Sequence, residues 1–237
     1  MSPLPIPGPF PSLAAAVFLA VWLVQPRRGE LRSLPWWKRW AMPVALIIGG
    51  VAGSRLPGVL ASGDWVPEGR TLTAGLAVGY LMVEVVRTAC MLPPGARDAV
   101  ALPLSTGLVV ARLGCFLNGC CRGEETSLAW AVDFGDGVRR HPIQLYETAF
   151  HLLTAGAILG LRLGGALRGE VLRLYLITYC VYRFATEWIR PEPVSWLGLT
   201  VPQIVVATFG TMLVISSELD AVCSRGLRPR RVPGPRA

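Results

Sequence analysis

Residues 99–123 read AVALPLSTGLVVARLGCFLNGCCRG, and residues 140–147 read RHPIQLYE. The first stretch is an apolar run that continues through Arg112 before it reaches a turn rich in glycine and cysteine. A charge at hydrocarbon depth costs at least ~3 kcal/mol, so such residues usually face a bundle interior or a water-filled cavity. The second stretch places an imidazole, an amide, a phenol and a carboxylate at the start of another apolar helix. Together the two stretches predict polar chemistry at a membrane.

The composition is that of a membrane protein. Hydrophobic residues make up 52% of the 237 residues and charged residues only 16%, whereas a soluble domain carries roughly a quarter charged residues. A helix that crosses a bilayer needs about 17–25 mostly apolar residues. Seven segments meet or approach that length: 10–24, 41–61, 72–86, 99–117, 142–161, 171–188 and 199–215. We therefore expect an all-α, polytopic protein with seven transmembrane helices, with one membrane domain over residues 1–217 and a basic, disordered cytoplasmic tail over 218–237.

The basic residues are distributed unevenly between the connections. Fifteen of the 23 lysines and arginines lie on alternate connections and the tail, five on the other connections and three inside the apolar segments. Because basic loops remain in the cytoplasm, this bias predicts an outer N-terminus and a cytoplasmic C-terminus. The net charge of +8 is then a topology signal and an attraction for anionic lipid head groups, and no nucleic-acid partner is expected. Segment 10–24 is expected to be an uncleaved helix, because no basic residue precedes it and no small-residue cleavage site follows it.

Three arginines lie inside apolar segments: Arg55, Arg112 and Arg183. Arg55 either extends to the outer interface or binds an anion. Arg183, Glu187 and Arg190 are spaced i, i+4 and i+7, which predicts either a local salt-bridge ladder or part of an anion site. Because few acidic residues lie at the same depth, the sequence favours a lipid phosphate near the outer leaflet as the partner of these guanidinium groups.

His141, Tyr146 and Glu147 are the candidate acid and base groups. A histidine at a helix entrance is often only a cap or an interfacial residue, but its polar neighbours favour a functional role. The loop between residues 122 and 140 contains alternating Trp130, Val132 and Phe134, which predicts a short hairpin.

The cysteines lack both a Cys-x-x-Cys motif and a zinc-ligand spacing, so we predict no metal site. On the outer, oxidising side, Cys120 and Cys121 are suited to small-residue packing, to a disulfide or to a thiol relay. A thiol-disulfide membrane oxidoreductase is therefore one alternative function.

Four motifs together resemble the prolipoprotein diacylglyceryl transferase family over about residues 47–215. They are Arg112-Leu113-Gly114-x-Phe116-Leu117-Asn118-Gly119, then His141-Pro142-x-Gln144-Leu145-Tyr146-Glu147, then Tyr182-Arg183-Phe184-x-x-Glu187-x-x-Arg190, and finally Leu199-Thr200-x-x-Gln203. Gly53-Ser54-Arg55 is similar to the Gly-Ala-Arg of the family's second helix. The joint match is specific, whereas any single motif would be weak.

The resemblance implies a seven-helix, multi-pass enzyme of the bacterial inner membrane. Such an enzyme transfers the diacylglyceryl group of phosphatidylglycerol to the lipobox cysteine thiol of a prolipoprotein signal peptide, forming a thioether and releasing glycerol 1-phosphate. It uses no metal or other cofactor. The implied catalytic residues are Arg112, Arg183, His141, Tyr146 and Glu147. The implied substrate-binding residues are Arg55, Arg112, Asn118, Gln144, Arg183, Glu187 and Arg190.

The chain departs from the family pattern at four places. One is the outer head region between early helices, which is large in the family and short here, over residues 62–70. Thr73-Ala74-Gly75 replaces a His-Gly-Gly run, Cys115 replaces an asparagine, and Gly119-Cys120-Cys121 replaces Gly-Glu. Loss of the histidine removes a candidate base for thiol activation. His141 is the candidate to replace that base. These departures also support an alternative function, a catalytically diverged membrane protein that still binds phospholipid.

Overall fold

A computed structural model describes residues 9–25, 33–62, 71–196 and 198–226. The helices in these ranges are α1 (Phe10–Val24), α2 (Trp36–Ser62), α3 (Leu72–Ala89), α4 (Ala101–Leu117), α5 (Ile143–Gly164), α6 (Val171–Ala185) and α7 (Val201–Gly226). Short 3₁₀ helices, Pro94–Val100 and Thr186–Ile189, precede α4 and follow α6. Antiparallel hairpins join β1 (Val132–Asp133) to β2 (Arg139–Arg140) and β3 (Val194–Trp196) to β4 (Leu199–Thr200). The expected all-α class is confirmed, and β1–β2 is the hairpin predicted before residue 140.

Within the described ranges, four helical stretches are long and apolar enough to cross a membrane: Trp36–Val59, Leu72–Ala89, Pro94–Leu117 and Val201–Asp220. α1 is apolar but shorter. α5 and α6 also expose large apolar side chains, such as Leu153 at 75% and Val181 at 66% exposure. The chain is therefore a membrane protein.

Glycines bring α2 and α3 into close contact. An added methyl group on Gly53 would lie 2.5 Å from Val78 Cβ, and one on Gly49 would lie 2.9 Å from Gly79 Cα. Contacts this short leave no room for a side chain, so these glycines allow the two helices to approach closely. The α2–α3 pair forms one wall of the bundle.

α4 lies at the centre of the bundle and packs against α1 on one side and α5 on the other. Gly107 and Gly114 of α4 face Phe18 and Phe10 of α1, respectively. α4 ends at Leu117, with Asn118 as the C-cap and Gly119 at a φ of +64°. Because glycine adopts this left-handed conformation without strain, the chain turns sharply as the sequence predicted.

A buried charge network stabilises the C-terminal end of α3. Arg97 is fully buried and donates to Glu84 at 2.7 Å, Glu170 at 3.1 Å and Asp220 at 3.2 Å. Glu84 also pairs with Arg87, at 2.7 Å. α7 contributes Asp220 because it extends beyond the expected end at residue 215, into the segment predicted as tail. Residues 227–237 of that predicted tail lie outside the described ranges.

Candidate active site

A cavity of about 1180 Å³ opens at the end of the bundle opposite this network, with α3 and α7 contributing their N-terminal residues. Drug-sized ligands occupy pockets of about 300–1,000 Å³, so the volume suits a larger molecule such as a lipid. Its charged lining residues are five arginines, Arg112, Arg122, Arg140, Arg183 and Arg190, and four acidic residues, Glu124, Glu125, Asp136 and Glu192. Arg112 and Arg183, the two arginines expected to share a lipid-accessible site, therefore lie on one cavity.

Glu147 connects two of these arginines. Its carboxylate is 1% exposed and lies 3.1 Å from Arg112 Nε and 3.0 Å from Arg190 Nη2. The hydroxyl of Tyr179 donates a third contact to Oε1 at 3.0 Å. A carboxylate with three donors is fixed in position and ionised, so Glu147 orients the two guanidinium groups at the cavity wall.

Glu187 has the same relation to Arg183. The two side chains form an i, i+4 ion pair, and Thr200 Oγ1 donates to Glu187 Oε1 at 2.7 Å. Gln203 Oε1 in turn accepts the Thr200 amide at 3.0 Å. The start of α7 is thereby joined to the end of α6, and Arg183 is held at the cavity wall.

Three arginines of the cavity, here called the inner arginines, carry more positive charge than their carboxylate partners carry negative charge. Arg112, Arg183 and Arg190 line the cavity and are paired with only two carboxylates, Glu147 and Glu187. The group therefore carries one net positive charge in a poorly solvated place. A phosphodiester carries one negative charge and accepts two parallel hydrogen bonds from a guanidinium group, so it matches this site in charge and in shape.

The β1–β2 hairpin contributes Asp136 and Arg140 to the cavity lining. Asp136 in its turn pairs with Arg122 and Arg140, each at 2.7 Å. The hydrogen bond from Arg140, together with the charge of Arg122, holds the pKa of Asp136 below its usual range. The pair with Arg122 ties the hairpin to the loop that follows α4, and the pair with Arg140 lies within the hairpin.

His141 and Tyr146 lie beside the cavity and not among its lining residues. Tyr146 Oη accepts from Trp130 Nε1 at 2.7 Å and lies 3.4 Å from His141 Nδ1. Gln144 is buried and donates to the Cys120 carbonyl at 2.5 Å. These side chains link the start of α5 to the hairpin and to the turn after α4.

The remaining predicted residues lie at the margin. Asn118 is exposed at the end of α4. Arg55 does not line the cavity, although its neighbours Ser54 and Pro57 on α2 do so. Thr73, at the position where the family motif has histidine, is a lining residue.

Sequence reasoning did not select Tyr179 and His151 as site residues. Tyr179 lies one helical turn before Arg183, and His151 lies one turn after Glu147. The His151 and Tyr179 rings stack at 5.5 Å, and Tyr175 Oη lies 2.9 Å from His151 Nδ1. The i, i+4 spacing from residues already selected was the signal that would have found both.

Cys115, Cys120 and Cys121 cluster at the cavity wall, with their three Sγ atoms within 4.8 Å of one another. Hydrogen bonds from Cys115 and Cys120, with the charges of Arg112 and Arg190, lower the pKa of the Cys121 thiol. Among the described residues this is the one group of cysteine, histidine or acidic side chains arranged closely enough to hold a metal ion.

Comparison with known proteins identifies a family for the chain. The family model described as prolipoprotein diacylglyceryl transferase matches residues 12–216. Proteins named phosphatidylglycerol–prolipoprotein diacylglyceryl transferase from Polynucleobacter necessarius and Vibrio vulnificus are 41% and 40% identical over 109 and 112 residues. These matches cover 43% and 44% of the chain and 40% of each relative. The protein of that name from Cupriavidus necator is 34% identical over 145 residues, covering 58% of the chain and 50% of the relative.

The chain thus spans 40–50% of the length of these curated relatives. The family model, in contrast, extends from α1 to α7 and includes the cavity and all three inner arginines. The chain belongs to the prolipoprotein diacylglyceryl transferase family.

Proposed function

We propose that the chain transfers the diacylglyceryl group of phosphatidylglycerol to the lipobox cysteine thiol of a prolipoprotein, releasing glycerol 1-phosphate. The observation that carries the proposal is the cavity lined by Arg112, Arg183 and Arg190, whose carboxylate partners leave one positive charge. The names of the relatives supply the substrate classes, phosphatidylglycerol and a prolipoprotein.

The reaction forms one bond and breaks one. The acceptor sulfur attacks the glyceryl carbon that carries the phosphate ester, so a carbon–sulfur bond forms as the carbon–oxygen bond breaks. The electron pair leaves with the phosphate oxygen, the thiol proton passes to a base or to water, and negative charge grows on the leaving group. Guanidinium groups already in place beside that phosphate lower the barrier, because they need no reorganisation as the charge develops.

The predicted catalytic and binding residues then have two kinds of role. Arg112, Arg183 and Arg190 contact the phosphate, while Glu147 and Glu187 position them through the ion pairs described above. A carboxylate held by two arginines is a weak base, so we assign Glu147 positioning and not proton abstraction.

The remaining members of the predicted set are assigned to the outer rim. His141 and Tyr146 orient the hairpin through their mutual contact and through Trp130. Gln144 fixes the turn after α4 through the Cys120 carbonyl. Arg55 and Asn118 are assigned to the lipid head group at the cavity mouth.

We further propose that the protein crosses the bacterial inner membrane seven times, with the N-terminus and the cavity outside. The distribution of basic residues supports this orientation. Cys120 is exposed beside the cavity, whereas Cys90 lies at the opposite end of α3. A membrane-impermeant maleimide applied to intact cells should label Cys120 and not Cys90, and the reverse pattern would contradict the orientation.

A second candidate function is a phospholipid-binding protein that has lost catalysis. Thr73 favours it, because this lining residue stands where the family motif carries a histidine that is a candidate base. Such a protein would keep the arginine cavity and hold phosphatidylglycerol without transferring its diacylglyceryl group.

The deciding experiment incubates the purified chain with acyl-labelled phosphatidylglycerol and a lipobox peptide. The transferase proposal predicts a labelled thioether on the peptide and release of glycerol 1-phosphate. Arg112→Ala should reduce product formation about 100-fold or more, as loss of one charge-stabilising donor typically does. The matched control is Arg87→Ala, whose guanidinium group pairs with Glu84 near the opposite end of α3. Lipid binding without product would support the second candidate, and equal rates in both variants would contradict the arginine mechanism.

A further inference from the structure

Three thiols beside the arginines have no part in the proposed transfer. Cys115, Cys120 and Cys121 are free cysteines, and their Sγ atoms all lie within 4.8 Å of one another. All three line the cavity that also contains Arg112 and Arg190. A close group of three soft ligands open to a substrate-sized cavity needs an explanation beyond packing.

Contacts from other parts of the chain hold these thiols together. Gly119 and Cys121 have φ values of +64° and +56°, so the turn folds back over the last turn of α4. For a residue with a Cβ this conformation costs about 1 kcal/mol or more, and it persists where the surrounding structure enforces it. Gln144 from α5 binds the Cys120 carbonyl at 2.5 Å, and Arg122 donates to the Gly119 carbonyl at 2.9 Å. The cluster is therefore preorganised by its own turn and by Gln144 of α5.

The spacing of the sulfur atoms suits a tetrahedral metal ion. Zinc–sulfur bonds of about 2.3 Å at tetrahedral angles place neighbouring sulfurs about 3.8 Å apart. The three Sγ atoms, within 4.8 Å of each other, need to approach by at most about 1 Å to reach that geometry. Three protein ligands with one position left open are the arrangement of catalytic zinc sites, whereas structural sites are closed by a fourth protein ligand.

The surrounding charge is also suitable. Three thiolates and a divalent cation carry one net negative charge. Arg112 and Arg190 line the same cavity as the three cysteines. Cationic neighbours stabilise thiolates and therefore favour the ligand form of these side chains.

We propose that Cys115, Cys120 and Cys121 bind a soft divalent cation such as Zn²⁺ through three thiolates, leaving a fourth coordination position open to the cavity. Thiolate ligands select such ions over Mg²⁺ or Ca²⁺. The binding site itself is independent of the proposed transferase activity.

The fourth position has a natural occupant if the proposed function is correct, and this part of the inference rests on it. An acceptor thiol that coordinates the metal loses its proton to water in the open cavity and remains a nucleophilic thiolate. The metal site would then activate the acceptor thiol. In the family motif the candidate for that role is a histidine, and this chain has Thr73 at that position.

The test uses the full chain in detergent micelles, reduced and freed of metal, and titrated with Co²⁺ and then Zn²⁺. One Co²⁺ per chain should produce sulfur-to-cobalt charge-transfer absorption, and Zn²⁺ should abolish it. Loss of a side chain that only hydrogen-bonds to a metal ligand lowers metal affinity by up to about 100-fold. Replacement of any one of the three cysteines by serine removes a ligand itself, so it should weaken Zn²⁺ binding about 100-fold or more. Cys90→Ser is the matched control, since its thiol lies at the other end of α3, and it should bind as the parent does.

Two results would overturn the metal site: absence of the charge-transfer band in the parent, or equal Zn²⁺ affinity in Cys120→Ser and Cys90→Ser. Cys120 is exposed, so Cys120→Ser decides the question even if substitution of the half-buried Cys115 disrupts folding. A disulfide between two of the three cysteines that resists reduction would also overturn it, because it removes two thiolate ligands.

A lipobox peptide tests the fourth position. Added to the Co²⁺-loaded chain, the cysteine peptide should change the cobalt spectrum and its serine counterpart should not. No change with either peptide would overturn the assignment of the open position to the acceptor thiol. Failure of the transferase assay with an intact cobalt spectrum would instead count against the proposed function and not against the metal site.

Discussion

The substitution Glu147→Gln tests whether the buried carboxylate of Glu147 positions the arginines or takes part directly in the reaction. The substitution keeps the shape of the side chain but removes the charge that Arg112 and Arg190 share at 3.1 Å and 3.0 Å, and it weakens the contact from Tyr179. Glu147 is 1% exposed, so water does not replace the lost charge. Removing one member of a buried ion pair costs about 3–5 kcal/mol, and glutamine keeps one acceptor, so we expect the lower end of that range.

The expected loss of stability is large enough to measure. At about 2–4 °C per kcal/mol for a chain of this size, about 3 kcal/mol lowers Tm by about 6–12 °C. The net charge of the arginine group also rises from one to two positive charges. We therefore expect phosphatidylglycerol to remain bound while kcat falls, because the guanidinium groups are no longer held in one position.

The assay measures thermal unfolding in detergent together with kcat and KM for diacylglyceryl transfer. Glu218→Gln, an identical change at an exposed position on α7, is the matched control and should leave Tm and kcat unchanged. If Glu147→Gln has the same Tm and kcat as Glu218→Gln, the carboxylate does not position the arginines and the reasoning is refuted.

Three further predictions follow from the same geometry. Arg183→Lys keeps the charge but loses the planar fork that binds phosphate at two points, so kcat should fall about 100-fold while Arg87→Lys leaves it unchanged. Gly53→Ala places a methyl group 2.5 Å from a neighbouring Cβ of α3, and overpacking of this kind lowers the free energy of unfolding by about 1–3 kcal/mol. Because the folded pKa of Asp136 is depressed by Arg140, the stabilisation of the hairpin is complete above the ordinary carboxyl pKa. This stabilisation should be lost as pH falls through the depressed pKa of Asp136. Hydrogen exchange of the hairpin amides measures the loss.

Each of these predictions has a contradicting outcome. Equal kcat in Arg183→Lys and the parent would show that two-point contact with phosphate is not needed. Gly156→Ala, a substitution into open space on α5, is the control for Gly53→Ala, and equal Tm values would exclude close α2–α3 packing as the reason for the glycine. Asp136→Asn should expose the hairpin at every pH, and an unchanged acid response in that variant would assign the transition to another group.

The helical layout followed from apolar length alone. Each of the seven predicted segments overlaps a helix, and four of these helices belong to described stretches long and apolar enough to cross a membrane. Backbone groups in hydrocarbon must be satisfied internally, so long apolar runs there become helices. The ends were less predictable. α7 continues to Gly226 because Asp220 joins the buried network around Arg97 and Arg173, and no local signal reveals a contact between residues so far apart in sequence.

The arginines and the pairing of Arg183 with Glu187 were predictable, whereas the pairing of Glu147 with Arg112 and Arg190 was not. Arg112 and Arg183 stood out because charges are rare in apolar runs, and the structure places both on one cavity. The pairing of Arg190 with Glu147 joins α5 to the segment after α6 and depends on helix packing.

The three-cysteine cluster was missed for a similar reason. The pattern Cys-x₄-Cys-Cys matches no zinc-ligand spacing, so the sequence predicted no metal site there. The spatial group forms only because Gly119 and Cys121 adopt left-handed conformations that fold the turn back on α4.

The central claim is that the inner arginines hold the phosphate of an anionic lipid. Native mass spectrometry of the detergent-purified chain, incubated with equal amounts of phosphatidylglycerol and phosphatidylcholine, measures this most directly. The account predicts one retained phosphatidylglycerol per chain in the parent and its loss in Arg112→Ala combined with Arg183→Ala. Equal retention of phosphatidylglycerol by the parent and that double variant would contradict it.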